Sequence, residues 1–436
     1  MTVTLFDLVS MLLITVGLLG LMWSVERLST RFDIGPEVKR KLVHVATGCT
    51  ALTFPVLFSG PVPVIIFVVL ATVLLLVMRN TRLNRLAHLG SVLHDVERKS
   101  HGEIYLAVAI GVLFFRSGNQ PVLYVLPLLV ITLSDTASAL IGTVYGRSRF
   151  AVEGGAKSLE GVAAFFVVTW LCAMIVLLLM TDAGRVNVIV LSLAIAAFCA
   201  LVEADSWNGL DNLFVPIGAH LFLASHLNNG PGELAAIAAA FIGTILVVQS
   251  IAPSLKISSQ AARGYAILML LVLSVTQWQN AILPAFAIAM HLVARRTRPG
   301  LSERPDFNLI LIATGVALAW LVTGEMLGES AINLFNLTFA AVGLAFAGLA
   351  LHGAWRLALA PIGACAGALV LWVAEQNPQA AFWFDPGWPI FLLALGLPAL
   401  AGATRPEWFA RARSFKAFGL SLILPMGIFV FKGVLA

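Results

Sequence analysis

The sequence predicts an all-α, polytopic integral membrane protein with about 14–16 transmembrane helices. Three observations predict it. Of the 436 residues, 60% are hydrophobic and 11% are Asp, Glu, Lys or Arg, whereas a soluble domain carries roughly 25% charged residues. Mean hydropathy is +0.95. The apolar residues also fall into runs approaching the ~20 residues that a helix needs to cross a bilayer, with polar loops between them.

The first run, 5–28, lacks a basic n-region and a small-residue cleavage site, so it is expected to be a retained helix rather than a signal peptide. Further runs lie at 44–58, 61–78, 104–116, 122–141, 161–180, 188–203 and 213–227. A second set follows at 234–252, 264–278, 280–294, 307–323, 331–351, 357–373, 388–402 and 417–434. Short runs among these suit re-entrant or protein-shielded segments. The NNGPGE turn, Asn228 to Glu233, carries Gly and Pro and marks a boundary. Residues 1–230 hold nearly all the unusual polar residues and are read as a catalytic membrane domain. Residues 231–436 are rich in Ala and Leu and are read as an additional transmembrane domain of unassigned role. No internal repeat joins the two halves. Cys49, Cys172, Cys199 and Cys365 show no CxxC spacing and no His partner, so neither a metal site nor a disulfide framework is indicated.

Basic loops alternate with basic-poor ones. Of 27 Lys and Arg, only Arg116, Arg185 and Lys432 fall on the basic-poor side. By the positive-inside rule the basic loops are expected in the cytoplasm and the N-terminus outside.

Asp135 closes the apolar stretch YVLPLLVITLS. A carboxylate in a membrane span costs several kcal/mol unless it is paired, protonated or cation-bound, which makes it a functional candidate. Ala139, Gly142 and Gly146 recur beyond it at helical spacing, which serves helix packing or close approach by a ligand. The loop GRSRFAVEGGAKSLEG follows. Gly154 and Gly155 can turn successive backbone N–H groups toward one anion. Lys157 adds a charge and Ser158 a hydroxyl at the next helix start. No GxxxxGK[ST] is present, and a flexible basic loop fits the segment equally well. Glu160 reads as a catalytic carboxylate or as an acid in a first helical turn.

Glu203, Asp205 and Asp211 cluster in EADSWNGLDN, with Asn212 beside them, in a chain holding only 22 acidic residues. Oxygen-only ligands near phosphate suit Mg²⁺, although a solvated acidic loop has the same composition. Lys39, Arg40 and Lys41 precede the second span, with His44 four residues after Arg40 on one helix face. Phosphate binding and membrane-surface anchoring both explain that cluster. HDVERKSHGEIY places Glu103 at a helix start, as a functional or a capping acid. These clusters share one predicted membrane face. Cations, a glycine turn and carboxylates together suit phosphoryl transfer. Nothing suggests a nucleophilic triad, a haem site or a nucleic-acid partner.

These stretches together resemble the polyprenol kinase family, which includes dolichol kinase, phytol and farnesol kinases and CTP-dependent diacylglycerol kinases. The matching pieces are RKLVH (40–44), ERKSHGEIY (97–105), SDTASALIGTVYG (134–146), KSLEG (157–161) and the Glu203 to GLDNLFVP run ending at Pro216. They occur in the family's order across roughly residues 36–226. The resemblance implies phosphoryl transfer from a nucleoside triphosphate, CTP favoured, to a membrane-embedded lipid alcohol such as phytol, farnesol, geranylgeraniol or a polyprenol. It places the family's Arg-Lys pair on Arg40 and Lys41, its Asp on Asp135, and its KSxEG element on Lys157, Ser158, Glu160 and Gly161. Ser134 stands where many members have Gly, and Val162 where many have a small or hydroxyl residue. Neither departure removes a charge.

The combined expectation has Asp135, Lys157 and Glu160 as catalytic residues. Arg40, Lys41, Gly142, Gly154, Gly155 and Ser158 are expected to grip nucleotide phosphates. Asp135, Glu203, Asp205 and Asp211 are expected to hold Mg²⁺, with His44, Glu103 and Asn212 as further site members. Membrane lipids are the remaining expected partners. The competing readings are a CDP-lipid-forming cytidylyltransferase, a CTP-dependent diacylglycerol kinase, and a lipid or solute transporter. Transport predicts mid-membrane charges in both halves, whereas the second half offers mainly Glu325 and Glu329, in an expected outer loop.

Overall fold

A computed structural model describes residues 3–79, 101–118, 120–152, 155–327, 330–377 and 388–434. The chain is an almost wholly helical integral membrane protein. Among the described residues, nine helical stretches are long and apolar enough to cross a membrane by length and composition, and three shorter apolar helices accompany them. The apolar runs read from the sequence fall largely on helices, and the 44–58 run is divided between Pro36–Leu52 and the one-turn Phe54–Leu57. The chain divides into two compact units, Met1–Ala238 and Ala239–Ala436.

In the first unit the helices are α1 (Leu5–Phe32), α2 (Pro36–Leu52), the one-turn α3 (Phe54–Leu57), α4 (Pro61–Arg79), α5 (Gly102–Ser117), α6 (Val122–Leu129) and α7 (Asp135–Tyr145). They continue with α8 (Leu159–Met180), α9 (Arg185–Asp205) and α10 (Asp211–His226), while α11 (Pro231–Ile251) runs across the division between units. One feature of the 142–160 loop was not expected. Arg149–Val152 (β1) pairs antiparallel with Gly155–Ser158 (β2), Phe150 opposite Lys157. Hairpin pairing satisfies backbone groups that a polar loop beside a membrane would otherwise leave to water.

Helices α1 and α2 run antiparallel and are pinned at both ends. Thr4 and Asp7 cap α1 in a reciprocal box, and the fully buried Asp7 carboxylate also accepts from the Ser59 N–H (2.8 Å) and hydroxyl (2.7 Å). At the opposite end Lys39 reaches Glu26 at 3.4 Å. Pro36 opens α2, where its missing N–H costs nothing.

Between α6 and α7 the helix widens into a π-turn, Val130–Ser134, directly before Asp135. Pro127 sits one turn upstream and lacks the N–H that a regular ladder uses. Such π-turns recur at functional sites.

The second unit contains α12 (Ser259–Val275), α13 (Ile282–Thr297), α14 (Pro305–Leu327), α15 (Ser330–Ala350), α16 (Leu359–Gln376), α17 (Trp388–Thr404) and α18 (Arg413–Ile428). Its centre is α15, whose apolar side chains are nearly all buried. Two polar clusters lie inside it, and neither is evident from the sequence. Asp306 accepts from Tyr265 (3.0 Å), lies 3.2 Å from His291 Nε2 and pairs with Arg295. Asn280, Asn333, Asn336 and Asn377 hydrogen-bond amide to amide over 2.6–3.2 Å. Interhelical amides of this kind hold membrane helices together. Glu329 and the side chain of Glu325 lie outside the described residues.

Candidate active site

The site begins with a close approach of two backbones. Gly48 on α2 lies against Thr132 in the π-turn so tightly that any Cβ there would collide with the threonine side chain. Glycine is therefore required at that crossing. One and two turns earlier, α2 presents His44 and Lys41 to the same helix. Lys41 Nζ lies 2.6 Å from Asp135 Oδ2, and the two side chains are 2% and 6% exposed. His44 Nε2 lies 3.0 Å from the Ile131 carbonyl and 3.4 Å from Asp135 Oδ2. The sequence grouped His44 with Arg40, but on the folded helix it is Lys41, three residues before His44, that shares Asp135. Arg40 is held by Glu37 instead, at 2.7 Å. Burial alone would lower the pKa of Arg40; Glu37, then Asp135 and Asp211, raise it above the usual guanidinium value.

The second half of the site arrives from the hairpin, the end of α9 and the start of α10. Lys157, on β2, reaches Glu203 Oε1 at 2.9 Å and also donates to the Glu203 carbonyl. Burial pulls its pKa down, but the Glu203, Asp211 and Asp135 carboxylates outweigh this and hold it above the ordinary lysine value. Asn208 and Gly209, both in the left-handed region (φ 53° and 83°), reverse the chain so that α10 starts with Asp211 beside the end of α9. The Asn208 carbonyl accepts from His101 N–H at 3.3 Å, which ties the start of α5 to this loop.

Carboxylate oxygens of Asp135, Glu203 and Asp211 lie within 4.8 Å of one another. Three carboxylates this close repel unless cations intervene. Lys41 and Lys157 each take one oxygen, yet Glu203 Oε2 is buried with no hydrogen-bond partner, as is Asn212 Oδ1. An all-oxygen group with orphaned, buried acceptors suits a hard divalent cation.

Other expected site residues take different positions. Asp205 is buried near the end of α9 but is not a member of the three-carboxylate group. Glu160 accepts from the Ser148 N–H at 3.0 Å and so clamps the residue before β1 to the first turn of α8. Ser158 is the N-cap of α8, its hydroxyl accepting from Gly161 N–H at 3.1 Å. Gly142 lies against it, since a Cβ there would be 3.0 Å from Ser158 Oγ. In this structure Gly142 and Ser158 thus serve the packing of α7 on α8. Gly155 begins β2. Gly154 and the stretch 94–100 lie outside the described residues.

A cavity of about 380 Å³ opens beside the cluster. Arg40, His44, Glu103 and Asn212 line one end of it. The remaining wall comes from α1, α2, Phe54 of α3, α4 and α5 and is apolar except for Thr15, Thr47 and Thr50. Those hydroxyls donate to the carbonyls of Met11, Val43 and Ala46 on their own helices at 2.8–2.9 Å. The wall is effectively hydrocarbon. The contribution of α1 and α4 was not read from the sequence, because every apolar span offers the same residues and none marks its cavity side.

No family profile matches the chain, and no solved structure matches it. The chain is 33% identical over 216 residues to a protein of Synechocystis sp. named phytol kinase. That match covers 48% of this chain and 89% of the relative.

Proposed function

The chain belongs to the polyprenol and phytol kinase family, and on that premise we propose that it is a membrane lipid kinase that phosphorylates a prenyl alcohol. The phosphoryl donor is a nucleoside triphosphate, with CTP favoured by the family resemblance. One observation carries the reading: an apolar cavity ends in polar groups that adjoin the buried carboxylate and lysine cluster. A prenyl alcohol has that same division, a long hydrocarbon and one hydroxyl.

In this mechanism the hydrocarbon occupies the α1, α2, α4 and α5 cavity, and the hydroxyl lies at its polar end. Arg40, Lys41 and Lys157 supply positive charge for the triphosphate, whose transfer depends on charge compensation and in-line positioning. Asp135, Glu203 and Asp211 would hold Mg²⁺, which when bound offsets phosphate charge. Asp135, with His44 beside it, accepts the hydroxyl proton as the oxygen attacks the γ-phosphorus. The bond to the bridging oxygen breaks, and the nucleoside diphosphate leaves. With the basic loops in the cytoplasm, as charge alternation predicts, the nucleotide arrives from that side.

The test is phosphoryl transfer in detergent–lipid micelles, using γ-labelled CTP and ATP with a panel of prenyl alcohols. Labelled prenyl phosphate together with nucleoside diphosphate supports the kinase. Pyrophosphate release identifies a cytidylyltransferase instead, and folded protein that transfers no label rules the kinase out.

A further inference from the structure

The cavity has a definite depth, and its far end is built differently from its walls. Its lining along α1 runs from Met11 to Met22, eleven residues that at ~1.5 Å each give a depth of about 16 Å. Met22 packs with Val25 and Val43 near the polar end. Away from the polar groups, Phe54 and Phe67 line the cavity, with Phe58 packed against both. Phe54 meets Phe58 edge-on at 5.1 Å and Phe67 at 5.8 Å, and Phe58 lies 5.8 Å from Phe67. All three are buried. Behind them the fold is fastened by polar bonds: Asp7 grips Ser59 one residue after Phe58, and Tyr124 donates to the Ala51 carbonyl at 2.6 Å. A wall of edge-packed rings with tethered backbone yields less than aliphatic side chains in open helix faces.

We infer that Phe54 and Phe67, with Phe58 packed behind them, form the floor of the lipid-tail cavity and set the length of the alcohol that the enzyme accepts. The inference rests on the kinase reading and deepens it. With the hydroxyl fixed beside His44 and Asp135, the tail runs toward the rings along α2. A farnesyl or phytyl chain, extended, is comparable with that depth, whereas a long polyprenol exceeds it. The cavity of about 380 Å³ lies near the small end of the roughly 300–1,000 Å³ typical of ligand sites. It suits one hydrocarbon chain rather than the two of a diacylglycerol. Phe67 and Ala71 lie one helical turn apart on α4, and both line the cavity. Ala71 is therefore the position from which an added ring would shorten it.

The experiment compares wild type, Phe67→Ala and Ala71→Phe on alcohols running from geraniol through farnesol, geranylgeraniol and phytol to a long polyprenol, with a diacylglycerol alongside. Wild type should peak at the farnesyl-to-phytyl lengths. Phe67→Ala should move the optimum to longer chains. Ala71→Phe should move it to shorter ones, each changing the long-to-short rate ratio by roughly tenfold or more. If Phe67→Ala does not fold, the opposite shift in Ala71→Phe still decides the matter. A wild type active on every length equally, or an optimum that neither variant moves, overturns the floor assignment and leaves the kinase standing. A wild type that phosphorylates no alcohol fails the kinase reading itself.

Discussion

Lys41 and Asp135, ninety-four residues apart, form a 2.6 Å ion pair with both side chains almost wholly buried. Breaking a buried pair from one side strands the other charge, at a cost of about 3–5 kcal/mol. Lys41→Met should therefore lower the melting temperature in detergent markedly. The double variant Lys41→Met/Asp135→Asn should recover much of that loss, because no bare carboxylate remains. Equal melting of single and double variants would show that the pair is not coupled.

Asp135→Asn keeps the shape of the carboxylate and removes its charge and basicity. Transfer of label to any alcohol should fall by about 10²- to 10⁴-fold, the range for loss of a positioned acid–base group. Thermal unfolding measured beside it separates lost chemistry from lost folding. Near-normal turnover in folded protein would remove Asp135 from the reaction.

Gly48 tests the approach of α2 to the π-turn. Gly48→Ala drives a methyl into Thr132, and overpacking of this kind costs about 1–3 kcal/mol. It should also displace His44 and Lys41, so activity should fall further than stability. Adding Thr132→Ala removes the colliding oxygen and methyl, leaving only the Cβ contact, and should restore part of both.

Chelation of divalent ions should abolish phosphoryl transfer, and Mg²⁺ should restore it. In Glu203→Gln and in Asp211→Asn, the Mg²⁺ concentration for half-maximal rate should rise by roughly tenfold or more. Glu160→Gln, which loosens contacts to the Ser148 and Arg147 backbone, should leave that concentration unchanged. A titration of rate against Mg²⁺ for the three variants checks all of this.

In the second unit, Asp306 serves Tyr265, His291 and Arg295 together. Asp306→Ala leaves a partly buried guanidinium without its carboxylate, and melting should shift downward by the equivalent of about 3–5 kcal/mol. The KM for nucleotide, measured below that transition, should stay at the wild-type value.

Much was legible before folding. Composition and the spacing of apolar runs determine a helical membrane protein, because a bilayer leaves helices as the simplest way to satisfy the backbone. Asp135, Lys157, Glu203 and Asp211 stood out because charge is scarce in such a chain. Their mutual arrangement was not legible. Lys41 rather than Arg40 meets Asp135 because Gly48 sets how α2 docks, and that docking depends on Thr132, distant in sequence. Glu160 and Ser158 lie in a motif that reads as catalytic, yet local geometry turns one to a hairpin clamp and the other to a helix cap.

The sequence by itself determined the medium, the helices and the kinds of charged group available, since each follows from residue chemistry and local period. The tertiary structure alone decided which carboxylates converge, where the hydrocarbon cavity runs and how deep it is. Those depend on long-range contacts: Asp7 with Ser59, Phe54 with Phe67, Lys157 with Glu203. Helical period sorts residues onto faces. Only packing chooses which faces meet, and at what distance a cavity between them ends.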